Sequence, residues 1–476
     1  GSSSHQESGI SAAGGESGHG QDQREGTPIQ FASTAIAAAR RAPGAAHDQS
    51  FYRGDPHRVG ATRNRIVSGS ADVEEWQRFD SESADVMLTS YRRVRMPFYE
   101  LSEFIKLSAV LNYQLCAIPK NWDGVVSVML GDHTVRPAEK AILKRTCEYL
   151  YHAYGERKRL VGPLSVLHPL RGTAMLAQAS ERSSFLDLMV ALLHDLFEDI
   201  EPERVEKGSR SPLEKALEEI VEGMKPDDQW YLIERVGWLT KRKGEAYYPY
   251  IGRLLDHARG TPEIVRVKLA DRLDNTLDMR MDMMDSLEDI DGFEAVFQIL
   301  SGRFRRSSRP EILHPPVGIF NGADRLYQLF KDSVLMSLIR QKEAGKEDEV
   351  VCTVFAQLAG AGMREAQRIV LHIVEHHLPA DIDLRALVLD TLDYIHQGGI
   401  DRVTGTALGH SLDGLFVSYF DDPSKVVRKE KLASLYCNKK LMIRAALAFI
   451  AIFLSFRDDP DFYIRGVSEE GVRPDG

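Results

Sequence analysis

The chain has 476 residues, 43% of them hydrophobic, which is enough for a large core and exceeds one typical domain. A net charge of −10 with no dominant basic stripe excludes general nucleic-acid binding, whereas a small anionic substrate needs only a local positive pocket. Cys116, Cys147, Cys352 and Cys437 lie far apart with no CxxC pair, which excludes a zinc ribbon and a disulfide framework and points to a reducing cytoplasm.

Residues 1–70 are rich in Gly, Ser, Ala and Gln, contain no lysine, and read as a disordered tail. The first fifteen residues are polar, so no secretory signal is expected. Arginines outnumber acids between Thr27 and Arg65, which gives an organellar transit segment as a second reading of the same composition. A helical extension is expected over 71–135. The stretches Ser90–Leu115 and Arg136–Arg159 repeat apolar residues at spacings of three and four, and Pro137 suits a first helical turn.

The chemistry concentrates in residues 136–285. His168 opens "HPLRGTAML", His194 and Asp195 follow the apolar run "FLDLMVALL", and Asp271 sits in "VRVKLADRLDNTLDM". Each projects from a mostly apolar helix, where an unpaired charge costs several kcal/mol unless a cation or partner neutralises it. A histidine bonded to its neighbouring carboxylate would account for His194 and Asp195 alone; all four together call for a shared divalent ion. Two imidazoles and two carboxylates suit Mn²⁺, Fe²⁺, Mg²⁺ or Zn²⁺. In "HDLFED", Glu198 and Asp199 fall one helical turn after the doublet and share its face, within reach of an attacking water.

These residues resemble the HD superfamily of metal-dependent phosphohydrolases, whose ligands are a first His, a His-Asp doublet and a distant Asp. The segments "LHP", "ALLHDLFEDIE" and "VKLADRLDN" are similar to the hydrolase domain of Rel/Spo alarmone enzymes and their hydrolase-only relatives, which remove the 3′-pyrophosphate of (p)ppGpp with Mn²⁺. "LTKRKGEAYYPYI", Leu239 to Ile251, is similar to a segment of small bacterial HD proteins. The resemblance covers roughly residues 145 to 285. It implies His168, His194, Asp195 and Asp271 as metal ligands, Glu198 and Asp199 as the residues that orient or deprotonate water, and Asn275 over the substrate. It also implies a nucleotide-binding arginine before the HP pair, which alignment places at either Arg159 or Arg157. Asp274 stands where the alarmone enzymes usually carry His, a change expected to add negative charge near the phosphates. Lys268 and Arg272 flank Asp271, either for phosphate pairing or for structural salt bridges. Lys241 to Glu245 reads equally as a solvated basic loop or a phosphate contact.

Residues 286–476 continue with helical period through Asp285–Leu300, Asn321–Gln341, Val350–Leu378 and Leu384–Gln397. His376 and His377 read as the polar end of a helix. "LFVSYF", Leu415 to Phe420, is the one good strand candidate. The run Leu441 to Phe456 contains Arg444 and is shorter than the roughly 20 residues a bilayer span needs, so a buried or partner-binding helix is expected. The expected architecture is all-α: an HD core with N- and C-terminal helical segments and a disordered tail. With no sheet to form a synthetase domain, the expected activity is (p)ppGpp 3′-pyrophosphohydrolysis without synthesis. The alternatives are a nucleotidase acting on another nucleotide, or a nucleotide-sensing regulatory protein. The C-terminal helices could pair subunits or bind a protein partner.

Overall fold

A computed structural model describes residues 101–159, 163–180, 183–200, 212–242, 244–280, 321–377, 382–406 and 409–473. The expected tail, most of the Ser90–Leu115 stretch before Leu101, the Asp285–Leu300 helix and the 285/286 boundary lie outside them. The described residues are mostly helical, as the periodicity predicts, with fifteen α-helices among them. The first three are α1 (Leu101–Cys116), α2 (Trp122–Leu130) and α3 (Pro137–Tyr154). Asn121 caps α2 by accepting from the Gly124 amide, and Pro137 occupies the first turn of α3, where its missing N–H costs nothing.

The site-bearing helices follow. His168 lies in the first turn of α4 (Leu167–Ala179). Helix α5 (Phe185–Leu193) starts with a capping box in which Ser184 and Asp187 satisfy each other's amides. It ends before the His194–Asp195 doublet, and a separate single turn, α6 (Leu196–Asp199), carries the two acids. The continuous helix expected through "HDLFED" is therefore broken at the doublet, and Asp195 stands at the N-cap position of α6. Next come α7 (Pro212–Glu222), α8 (Pro226–Leu239), α9 (Tyr247–Ala258) and α10 (Glu263–Arg280).

Helix α10 is central: it touches α1, α4, α5, α8 and α9 on one side of the sequence and the C-terminal helices on the other. Its buried positions include Asp271, Arg272, Asp274, Thr276, Asp278 and Arg280 as well as apolar residues. So polar a helix can be buried only if its charges find partners, which it does on α4 and on α11 (Gly322–Gln341).

The rest of the C-terminal region comprises α12 (Glu349–His376), α13 (Leu384–His396), α14 (Lys425–Cys437) and α15 (Lys439–Asp458). Helix α12 packs along both α15 and α10, so one contiguous apolar core runs from Leu101 to Val472. The close approach of α12 to α15 depends on Gly362: a Cβ there would lie 2.7 Å from the Phe453 ring. The apolar run Leu441–Phe456 lies within α15 and is largely buried in this contact. No helix among the described residues is long and apolar enough to cross a membrane. Helix α12 ends at His376, with His377 as its C-cap.

The strand expected at Leu415–Phe420 is instead a turn of π-helix, Phe416–Phe420. Phe416 and Phe420 both reach the core beside Phe330 and Phe449 with their ring centres 6.2 Å apart, whereas a strand would put them on one face but about 13 Å from each other. The strands that do exist among the described residues, β1 (Val467–Ser468) and β2 (Gly471–Val472), form a short antiparallel hairpin. Their two-residue length carries no readable alternation.

Candidate metal centre

Four side chains from three segments meet at the junction of α4, the α5–α6 break and α10. One ligand-type atom from each of His168, His194, Asp195 and Asp271 lies within 4.8 Å of the others. His168 Nε2 is 3.1 Å from Asp195 Oδ2 and 3.3 Å from Asp271 Oδ1. His194 Nε2 is 3.2 Å and 3.9 Å from the same two oxygens. The break after Leu193 makes this convergence feasible, because it lets the adjacent His194 and Asp195 turn toward one point.

The outer bonds fix the orientation of each group. His194 Nδ1 donates to the Ala191 carbonyl at 2.7 Å, and His168 Nδ1 is 2.6 Å from Asp274 Oδ2. With the protons held at Nδ1, both Nε2 lone pairs face the carboxylates. His194 Nε2 is a buried atom with no hydrogen bond, although a carboxylate oxygen lies 3.2 Å away. Lone pairs of nitrogen and oxygen aimed at one another in a buried site fit a cation between them. The donor set fits a borderline or hard divalent ion.

The electrostatics agree with the geometry. Burial opposes ionisation of Asp195 and Asp271, yet His194 and His168 hold Asp195 low, and Lys268 with the imidazoles holds Asp271 low. Burial disfavours protonation of both histidines, but Asp274, Asp195 and Asp271 overcome it at His168, and Asp195 and Asp271 at His194. Protons on the two Nε2 atoms would compensate the carboxylates in place of a cation, and a divalent ion taking the Nε2 lone pairs would do so with both charges in one place.

Asp271 is held on both oxygens: Asn275 Nδ2 donates to Oδ1 at 2.7 Å and Lys268 Nζ to Oδ2 at 2.6 Å. Asn275 also accepts from Arg159 Nη2 at 2.5 Å. Arg159 reaches Asp278 at 2.8 Å, while Arg157 donates to the Asp199 carbonyl, so both arginine candidates border the site. Arg272 is committed to α11 through Asp332 at 2.6 Å and Gln328; the salt bridge, not phosphate pairing, is the reading the geometry holds. Glu198 accepts from the Lys241 amide at 2.6 Å, and Asp199 from the Tyr154 hydroxyl at 3.0 Å. Burial, with the Asp195 charge behind it, pushes Glu198 up to about 7 and raises Asp199. In the 241–245 segment, Glu245 pairs with Arg253 and so closes the loop onto α9.

Asp274 corrects the sequence reading. It is fully buried behind His168, on the nitrogen facing away from the cluster, and Arg171 neutralises it at 2.7 Å. Arg171, itself fully buried, also binds Asp278 at 2.8 Å. Asp274 is therefore a support for His168, not an added charge among phosphates. Sequence reasoning missed Arg171 and Asp278. Their signal was available: Asp271, Asp274 and Asp278 recur at helical spacing, and Arg171 falls one turn after His168.

Compared with family models, curated proteins and solved structures, the chain matches none.

Proposed function

We propose that this protein is an HD-type metal-dependent phosphohydrolase that cleaves a phosphate or pyrophosphate ester of a nucleotide, with (p)ppGpp as first candidate and Mn²⁺ as first candidate metal. The observation that carries the reading is the convergence of two imidazole Nε2 atoms and two carboxylate oxygens, with Glu198 and Asp199 alongside. His168, His194, Asp195 and Asp271 would hold the ion, which supplies Lewis acidity toward a phosphoryl oxygen and makes water more acidic.

The chain's own residues do the rest. Glu198, at about 7, exchanges a proton near neutrality and accepts one from the attacking water. Asp199, steadied by Tyr154, orients that water. Lys268 and Asn275 hold the Asp271 carboxylate still, and Arg159 places a cation beside Asn275 for the substrate.

The test is a screen of purified protein with Mn²⁺ against nucleotides including ppGpp, followed by mass spectrometry of the products. Release of pyrophosphate from ppGpp, with loss of both metal and activity in His194→Ala, is the expected result. Full activity in protein shown by elemental analysis to hold no metal sinks the proposal.

A further inference from the structure

We propose that Lys331 and Arg428, both set against the Tyr327 ring, form a second anion subsite that binds a phosphate group of the substrate remote from the one cleaved. As a substrate subsite it rests on the phosphohydrolase reading above.

The two cations come from the C-terminal helices α11 and α14, in the part of the chain where sequence reading assigned no chemistry. Lys331 Nζ lies 5.2 Å and the Arg428 guanidinium carbon 5.0 Å from the Tyr327 ring centre. Among the described residues neither forms a carboxylate ion pair. Asp332, next to Lys331, is already taken by Arg272 and Thr276. Arg428 adds one bond, to the Asp422 carbonyl at 2.7 Å. Asp422 and Asp332 lie near enough to be felt by the two cations, but half-buried cations without a carboxylate in direct contact are unusual in a chain of net charge −10.

The pair is joined to the metal centre along two routes. On one, the Tyr247 hydroxyl donates to the Lys331 carbonyl at 3.1 Å, and Tyr247 stands within the field of Lys268, the partner of Asp271. On the other, Lys241 gives its amide to Glu198 while its ammonium feels Arg428. Lys331 itself feels the charges of Asp271 and Lys268, which sets the pair beside the candidate metal centre. Burial and the nearby Arg272 push the Lys331 ammonium well below its usual range, a penalty that a bound anion offsets. The substrate class this implies carries a second anionic group remote from the one cleaved.

The test is calorimetric titration of the full chain with inorganic pyrophosphate, without divalent metal. Binding is expected in the wild type and equally in His194→Ala, but weaker by about tenfold or more in Lys331→Met and in Arg428→Gln, as loss of a charge-assisted contact requires. Lys331→Arg should restore most of the affinity. No binding to wild type, unchanged affinity in both neutral variants, or loss of binding in His194→Ala overturns the subsite. Pyrophosphate binding at Lys331 in a protein that neither holds metal nor hydrolyses nucleotides keeps the anion site and removes the hydrolase reading.

Discussion

Asp274 links the candidate metal centre to the buried interior: one oxygen faces His168 Nδ1 and both meet Arg171. Asp274→Asn keeps the shape and removes the charge. Metal affinity should fall about ten- to a hundredfold, as when other outer carboxylates are removed from metal-bound histidines. Arg171 then keeps only Asp278 as an acidic partner, so a stability loss of about 3 kcal/mol is expected in urea titrations. Despite burial, Arg171 and His168 hold Asp274 down to about 2, below an unfolded aspartate near 3.9. Its contribution is therefore complete above about pH 4 and lost as pH falls through about 2, and the variant should lack that part of the acid transition. Unchanged metal affinity would show that His168 keeps its orientation unaided. Glu198→Gln separates proton transfer from metal binding: turnover should drop by about two to four orders of magnitude while elemental analysis finds the metal retained. Metal loss would make Glu198 a ligand. The four candidate ligands and two acids were legible as residue types at motif spacings. The direction of Asp274 was not, because a sequence shows a charge but not which imidazole nitrogen it meets.

At the scale of elements, helical period foretold most of the helices, since apolar residues recurring at three and four make a buried stripe wherever the stripe finds a partner. It failed where tertiary contacts set the local geometry. "LFVSYF" has strand-forming residues, but Phe330 and Phe449 capture its two phenylalanines side by side. "HDLFED" has helix-forming residues, but the helix stops so that two adjacent side chains can converge. The Gly362 contact yields a prediction with a built-in control. In mid-helix, Gly→Ala gains up to about 1 kcal/mol from propensity alone. At Gly172 in α4 a Cβ meets nothing within 4 Å, so Gly172→Ala should raise the denaturation midpoint. At Gly362 it meets the fully buried Phe453 ring, and overpacking costs of about 1–3 kcal/mol exceed the gain. Gly362→Ala should therefore lower the midpoint; a rise would show that Phe453 has room to move.

At the scale of the whole molecule, the resemblance covered only the middle of the chain and left the later helices without a role. The structure gives them one in the architecture: α11 and α12 cover α10, the helix that carries Asp271. Asp332 answers Arg272 from across that boundary. Truncation near residue 285 should expose the covered face of α10 and yield an aggregated or weakly active fragment, measured by light scattering and nucleotide turnover. A soluble, monomeric, fully active fragment would mean that the later helices are dispensable.

The placement of α10 also bears on how the protein is made. A ribosome has delivered every candidate metal ligand once Asp271 has emerged, yet the helix holding Asp271 is enclosed only after the residues of α12 have followed. Contacts this far apart in sequence close late in folding. On a nascent chain the face of α10 that meets α12 therefore stays uncovered until about residue 376 has been made, a delay set by chain order alone.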